Sequence, residues 1–125
     1  MSVFVKAKLS GSTDNLPIGV NSTAGGNVTI HTGHTGTSVM DEVWLYAHNN
    51  HTAGVALTIE FGVSASAQFI RQDIPARTGN VLVIPGIPIV GNSPPKVISA
   101  YVNTGTANFA LHGWVNRIDN SGSEF

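Results

Sequence analysis

The sequence predicts an all-β protein: an antiparallel β-sandwich, jelly-roll-like, of about eight strands. Three observations carry this reading. Apolar and polar residues alternate with period two in short runs, as in "VFVKAKL" and "VALTIEF". Gly, Pro, Asn, Thr and Ser recur every few residues and punctuate those runs. No window of a dozen residues carries apolar side chains at the three-and-four spacing of an amphipathic helix.

Taken in order, the strands are expected at 3–9, 27–32, 41–48, 54–61, 68–74, 80–89, 96–103 and 108–118. In the first, Val3, Val5, Ala7 and Leu9 face one way, opposite Lys6 and Lys8. Residues 10–26, "SGSTDNLPIGVNSTAGG", form the longest irregular stretch. In the third strand Trp44 and Tyr46 share one face while Val43, Leu45 and Ala47 take the other, so both faces are covered. In the fourth, Val55, Leu57, Ile59 and Phe61 oppose Thr58 and Glu60, the pattern of a half-buried strand. "NVLVIPGIPIV" (80–90) is apolar on both faces, and its prolines cannot donate to a ladder. It should bend near Pro85–Gly86 or lie at an edge. "GNSPPK" (91–96) reads as a stiff turn, and 119–125 as a frayed tail. The implied organisation is an amino-terminal strand and irregular segment (1–26), one sandwich domain (27–118) and a flexible tail (119–125). At 125 residues that makes one domain with a core of its own.

Composition excludes several functions. Charged residues make up 10% of the chain, against about 25% in an average domain. A monomer so poor in charge is weakly protected against association, so part of the surface is expected to be covered by copies of the chain or by another protein. The net charge is -1, and the six Lys and Arg are scattered singly, which leaves no stripe to track a phosphate backbone. Nucleic acid is therefore not an expected partner. Cysteine is absent, so disulfides, thiolate metal sites and a cysteine nucleophile are excluded. "MSVFVKAKLSG" does not read as a signal peptide, and no run approaches the roughly 18 apolar residues of a membrane helix. The expectation is a soluble chain made in the cytoplasm, with no membrane partner.

The five histidines are the main candidates for chemistry. His48 and His51 flank an Asn pair in "HNNH", and His31 and His34 sit in "HTGHTGTS". Nearby imidazoles can bind zinc or copper, but a metal needs further ligands, and here Asp and Glu are scattered. Asn pairs and Gly–Thr alternation are turn chemistry. Both pairs are read as turn and strand-end residues, with HNNH at a hairpin tip; no metal and no other cofactor is assigned. His112 lies on a strand beside Trp114, on the same face, as a partly buried polar residue or subunit contact. The seven acids show no pair across a cleft, and no G-x-S-x-G elbow occurs. "STAGGN" lacks the Lys-Ser/Thr and the helix of a phosphate loop. No catalytic residue is assigned, and the chain is not expected to be an enzyme. Trp44, Tyr46, Tyr101 and Trp114 fall on strands, where aromatic faces fill a core, anchor a protein contact or stack on sugar rings.

Three segments together, "DEVWLYAHNNHTAGVALTIEFG" (41–62), "IPARTGNVLVIPGIPIVGN" (74–92) and "VISAYVNTGTANFALHGWVNRI" (97–118), resemble small structural proteins of tailed-bacteriophage virions, particularly phages of aquatic bacteria. The resemblance spans about two thirds of the chain, Asp41 to Ile118, and rests on strand-and-turn texture. It implies a β-sandwich without catalytic residues, acting as a head decoration (cement) protein. Such a protein is commonly a homotrimer that binds the major capsid protein between capsomers and stabilises the head. Its place would be the virion's head surface after synthesis in the host cytoplasm. The alternative is a tail-fibre or adaptor module that binds a receptor or glycan through the Trp44, Tyr46 or Trp114 faces. The expected interface residues are Val3, Phe4, Val5, Trp44, Tyr46, His112 and Trp114. Residues 1–26 are a candidate capsid-contacting arm, weighed against an ordinary first strand, because an extended segment can add to a neighbour's sheet.

Overall fold

The computed structural model describes residues 3–62, 65–105 and 107–120. Two antiparallel sheets pack face to face. β1 (Val3–Lys8), β9 (Phe109–Asp119), β4 (Val39–Asn49) and β7 (Thr78–Val90) form the first in that order, with the two-residue β2 (Ile18–Gly19) also paired to β9. β3 (Val28–Thr32), β8 (Val97–Val102), β5 (Val55–Phe61) and β6 (Ile70–Ile74) form the second. A short 3-10 turn, Ser66–Gln68, precedes β6.

The connectivity is a set of nested antiparallel pairs. β1 joins β9, β3 joins β8, β4 joins β7 and β5 joins β6, and successive pairs fall in alternate sheets. Pairing of β4 with β9 and of β5 with β8 then completes each sheet. A ribbon of paired strands rolled up this way is a jelly roll. The core lies between the layers. Val43, Leu45 and Ala47 of β4 and Leu111 and Val115 of β9 meet Leu57 and Ile59 of β5 and Ile98 and Ala100 of β8, all essentially inaccessible. β4 keeps the alternation read from its sequence, and burial turns its Val43, Leu45 and Ala47 face inward; β9 alternates in the same way.

The segment 1–26 supplies more than a first strand. Leu9, Ile18 and Val20 are buried in the core, and β2 was not foreseen. Ile18 and Val20 are two apolar residues astride Gly19, too short a run to stand out. At the other end, Asp119 closes β9 opposite Val3 and the Asn120 amide donates to the Ser38 carbonyl. Of the expected tail, residues 121–125 lie outside the described residues, as does the side chain of Val3.

β7 lies at an edge and is also bent. Its register against β4 shifts three times, once between Val43 and Trp44, where Gly86 is passed over. Gly86 has φ +72°, and a Cβ there would sit 2.7 Å from the Trp44 ring, so only glycine fits. The shifts also resolve why this run is apolar throughout. An extra residue breaks the period of two, and adjacent Val83 and Ile84 are both buried.

One expectation is overturned. HNNH does not sit at a hairpin tip, because β4 and β5 belong to different sheets and residues 50–54 cross between the layers. Asn49 anchors that crossing. Fully buried, its carboxamide nitrogen lies 2.9–3.1 Å from the carbonyl oxygens of Ala53, Ile74 and Pro75, and its oxygen accepts the His51 amide.

Candidate functional site

The outward faces of β4 and β9 carry the most concentrated chemistry. Their register sets Glu42 opposite Asn116, Trp44 opposite Trp114, Tyr46 opposite His112 and His48 opposite Ala110. Alternation alone aims these side chains away from the core, so four cross-strand pairs, their members 62 to 74 positions apart, become one ladder. Trp44 and Trp114 stack with centroids 6.0 Å apart and planes 13° apart. Tyr46 lies 6.0 Å from Trp114 and 6.2 Å from His112. The His48 and His112 rings are 4.5 Å apart and share a 2.6 Å Nε2–Nδ1 hydrogen bond. Offset pairs of this kind contribute about 0.5–1.5 kcal/mol each beyond area burial.

Polar groups pin the ladder's margins. The Glu42 carboxylate accepts from Asn116 Nδ2 at 2.9 Å and from Trp44 Nε1 at 2.8 Å, and these two bonds lower its pKa. Lys6 of β1 holds its ammonium 5.2 Å over the Trp114 ring. On the other flank the register places Pro85 and Leu82 of β7 opposite Trp44 and Tyr46. β9 must run close to β4 here, since a Cβ at Gly113 would collide with the Trp44 carbonyl. Beside the ladder a groove of about 460 Å³ is lined by Asn15, Tyr46, Asn80, His112, Gly113 and Trp114.

The expected interface residues thus separate into two groups. Trp44, Tyr46, His112 and Trp114 come together in the ladder. Val3, Phe4 and Val5 lie in β1 at the edge of the same sheet, with Phe4 and Val5 63% and 50% exposed. Tyr101 belongs to the other sheet, opposite Thr58. The histidine pairs of the sequence do not pair in space: His48 meets His112, while the His51 carbonyl accepts from the Arg77 amide. His34 Nδ1 accepts from the Gly36 amide, a local turn bond.

A second constellation was not legible beforehand. His31, expected as a strand-end or turn residue, is buried on β3. Its Nε2 lies 2.7 Å from Oδ2 of fully buried Asp41, whose carboxylate also takes both Nε and Nη2 of Arg117 at 2.8 and 2.9 Å. Nδ1 of His31 accepts from the Ser10 amide at 3.0 Å, so the neutral ring carries its proton on Nε2 and donates it to Asp41. Burial pushes the Asp41 carboxyl up, but the hydrogen bonds from Arg117 and His31 outweigh it and hold the group well below the usual range. The same bonds raise Arg117. Although Ser, His and Asp meet here, this is not a nucleophilic triad. The Ser10 hydroxyl accepts from the Thr32 amide, and only its backbone faces the imidazole. The arrangement is a structural clasp joining β3, β4 and β9. What hid it is the register shift between Thr29 and His31, which breaks the period of two and turns adjacent Ile30 and His31 both inward.

Among the described residues, no three His, Asp or Glu side chains gather as metal ligands, and no helix is long and apolar enough to cross a membrane. Comparison of the chain with protein-family models, with curated proteins and with solved structures gave no match.

Proposed function

We propose that this chain is a structural protein of a tailed-phage virion, a homotrimeric decoration (cement) protein that binds the major capsid protein between capsomers. The observation that carries the reading is where most of the exposed large apolar side chains lie. Among the described residues, Phe4 and Val5 on β1, and Leu82, Ile87 and Val90 on β7, occupy the two ends of the β1–β9–β4–β7 path, with Leu16 and Val97 elsewhere, in a chain with 10% charged residues. Edges so furnished favour being covered by protein. Each trimer touches several capsid subunits, so modest contacts multiply through effective concentration, each of the order of a standard ~1,600 Å² interface or less. The jelly roll itself is a rigid support for such contacts and performs no chemistry. Because Leu9 belongs to the core, the contact role of β1 is best probed by substitution at Phe4 and Val5.

Imaging and quantifying the protein on purified virions tests the proposal. Copies in proportion to the capsomers, on the head, support it. Absence from the particle overturns it, and a few copies at the tail replace it with the receptor- or glycan-binding adaptor.

A further inference from the structure

The geometry points to a carbohydrate site in the groove beside the ladder: one neutral pyranose unit seated over Tyr46, His112 and Trp114, between the carboxamides of Asn15 and Asn80. This goes beyond the decoration reading and holds wherever on a particle the chain sits.

The groove's composition selects the ligand class. Three flat rings line it, and no Asp, Glu, Lys or Arg does. An apolar floor suits the C–H face of a sugar ring, and carboxamides offer both donor and acceptor to its hydroxyls. A basic peptide would find no carboxylate in this lining, and the nearby cation, the Lys6 ammonium 5.2 Å over the Trp114 ring, lies outside it. The volume, about 460 Å³, falls within the range of small-molecule sites.

The amides are held on opposite sides of the β4–β9 pair. Asn80 belongs to β7, which flanks β4, and Asn15 to the loop joining β1 to β2, both of which flank β9. Each sits in the left-handed backbone region, with φ 61° at Asn15 and 52° at Asn80. Such conformations cost about 1–3 kcal/mol at most residues and gather at ligand clamps, Asn being among the more tolerant. A third observation stands apart from the first two. Trp114 Nε1 is the one buried side-chain polar atom among the described residues with no hydrogen-bond partner. That donor has almost no accessible surface of its own, so a ligand in the groove meets the Trp114 ring rather than its N–H, and the sugar's hydrogen bonds fall to the two carboxamides.

Both tryptophans of the chain lie in the ladder, so intrinsic fluorescence reads the site directly. The full chain is titrated with the neutral trisaccharides cellotriose and chitotriose, and with anionic sialyllactose, up to roughly 10 mM, where a millimolar site is saturated. The expected result is a saturable emission change with a neutral sugar. Asn80→Gly and Asn15→Gly delete the amides yet keep the left-handed backbone accessible. Each should weaken binding about tenfold, equivalent to ~1.4 kcal/mol. Val97→Ser, on the other sheet, should bind as the parent does. Circular dichroism confirms that every variant is folded, and Tyr46→Leu provides a second route to loss of binding. No response to either neutral sugar overturns the proposal. So does binding undiminished in both Asn→Gly variants, or a response to sialyllactose alone.

Discussion

His48 Nε2 and His112 Nδ1 lie 2.6 Å apart, joining β4 to β9 through two stacked imidazoles at the end of the aromatic ladder. One proton serves that bond, and positive charge on one ring would oppose charge on the other. Burial, then the neighbouring His112, lowers the pKa of His48. A histidine whose folded pKa lies below its unfolded value contributes stability that is present above about pH 6.5 and lost as pH falls below it. The melting temperature should therefore decline as pH falls below about 6.5. His48→Gln should flatten that decline. An unchanged slope in the variant would contradict the assignment.

The Asp41 clasp gives a separate acid response. Its carboxyl is held well below the ordinary range, so its contribution is complete above about pH 4 and lost only in stronger acid. Asp41→Asn leaves buried His31 and the part-exposed Arg117 facing an uncharged amide; because water reaches the guanidinium, the cost should be about 1–3 kcal/mol at neutral pH. Denaturant unfolding measures this, and the gap to the parent should narrow towards pH 2. A cost under about 1 kcal/mol at neutral pH would show that the clasp contributes little.

Gly86 and Gly25 separate steric from conformational cost. Both have positive φ, but a Cβ at Gly25 meets nothing within 4 Å while one at Gly86 enters the Trp44 ring. Gly25→Ala should lose about 1 kcal/mol, and Gly86→Ala about 2–3 kcal/mol with altered tryptophan emission. Equal losses would mean that Trp44 yields at no cost.

Much of this architecture could be read from the chain, and what could not has a common physical origin. Where alternation is unbroken, as in β4 and β9, the strands and the residues that share a face followed from period two, but not which face is buried. Trp44 with Tyr46, and His112 with Trp114, were likewise placed on shared faces by parity. Legibility failed where the register shifts. A bulge beside His31 hid a buried imidazole, and in β7, whose prolines did mark it as a bent or edge strand, three irregularities hid which apolar residues turn inward. It also failed at HNNH, because an Asn-rich turn looks the same whether it closes a hairpin or crosses between sheets. Only the partner carbonyls of Asn49, 4 to 26 residues away, distinguish the two. The groove was invisible for the same reason, since Asn15 and Asn80 become neighbours only through strand order.

The edges of the first sheet provide a test of assembly that leaves the core intact. Phe4→Lys and Leu82→Lys change residues already 63% and 41% exposed, so each should unfold with near-parental stability, within about 0.5 kcal/mol. Each should nonetheless shift the protein towards monomer in size-exclusion chromatography. Val97→Lys, equally exposed but on the other sheet, should not. Dissociation by Val97→Lys alone would move the contact to that sheet.

Sedimentation equilibrium of the purified chain bears most directly on the central claim, that its charge-poor surface and apolar sheet edges exist to be covered by protein. The mass predicted is that of three chains of 13.0 kDa each. A single-chain mass persisting to roughly millimolar concentration, which caps self-association near -4 kcal/mol, would contradict it.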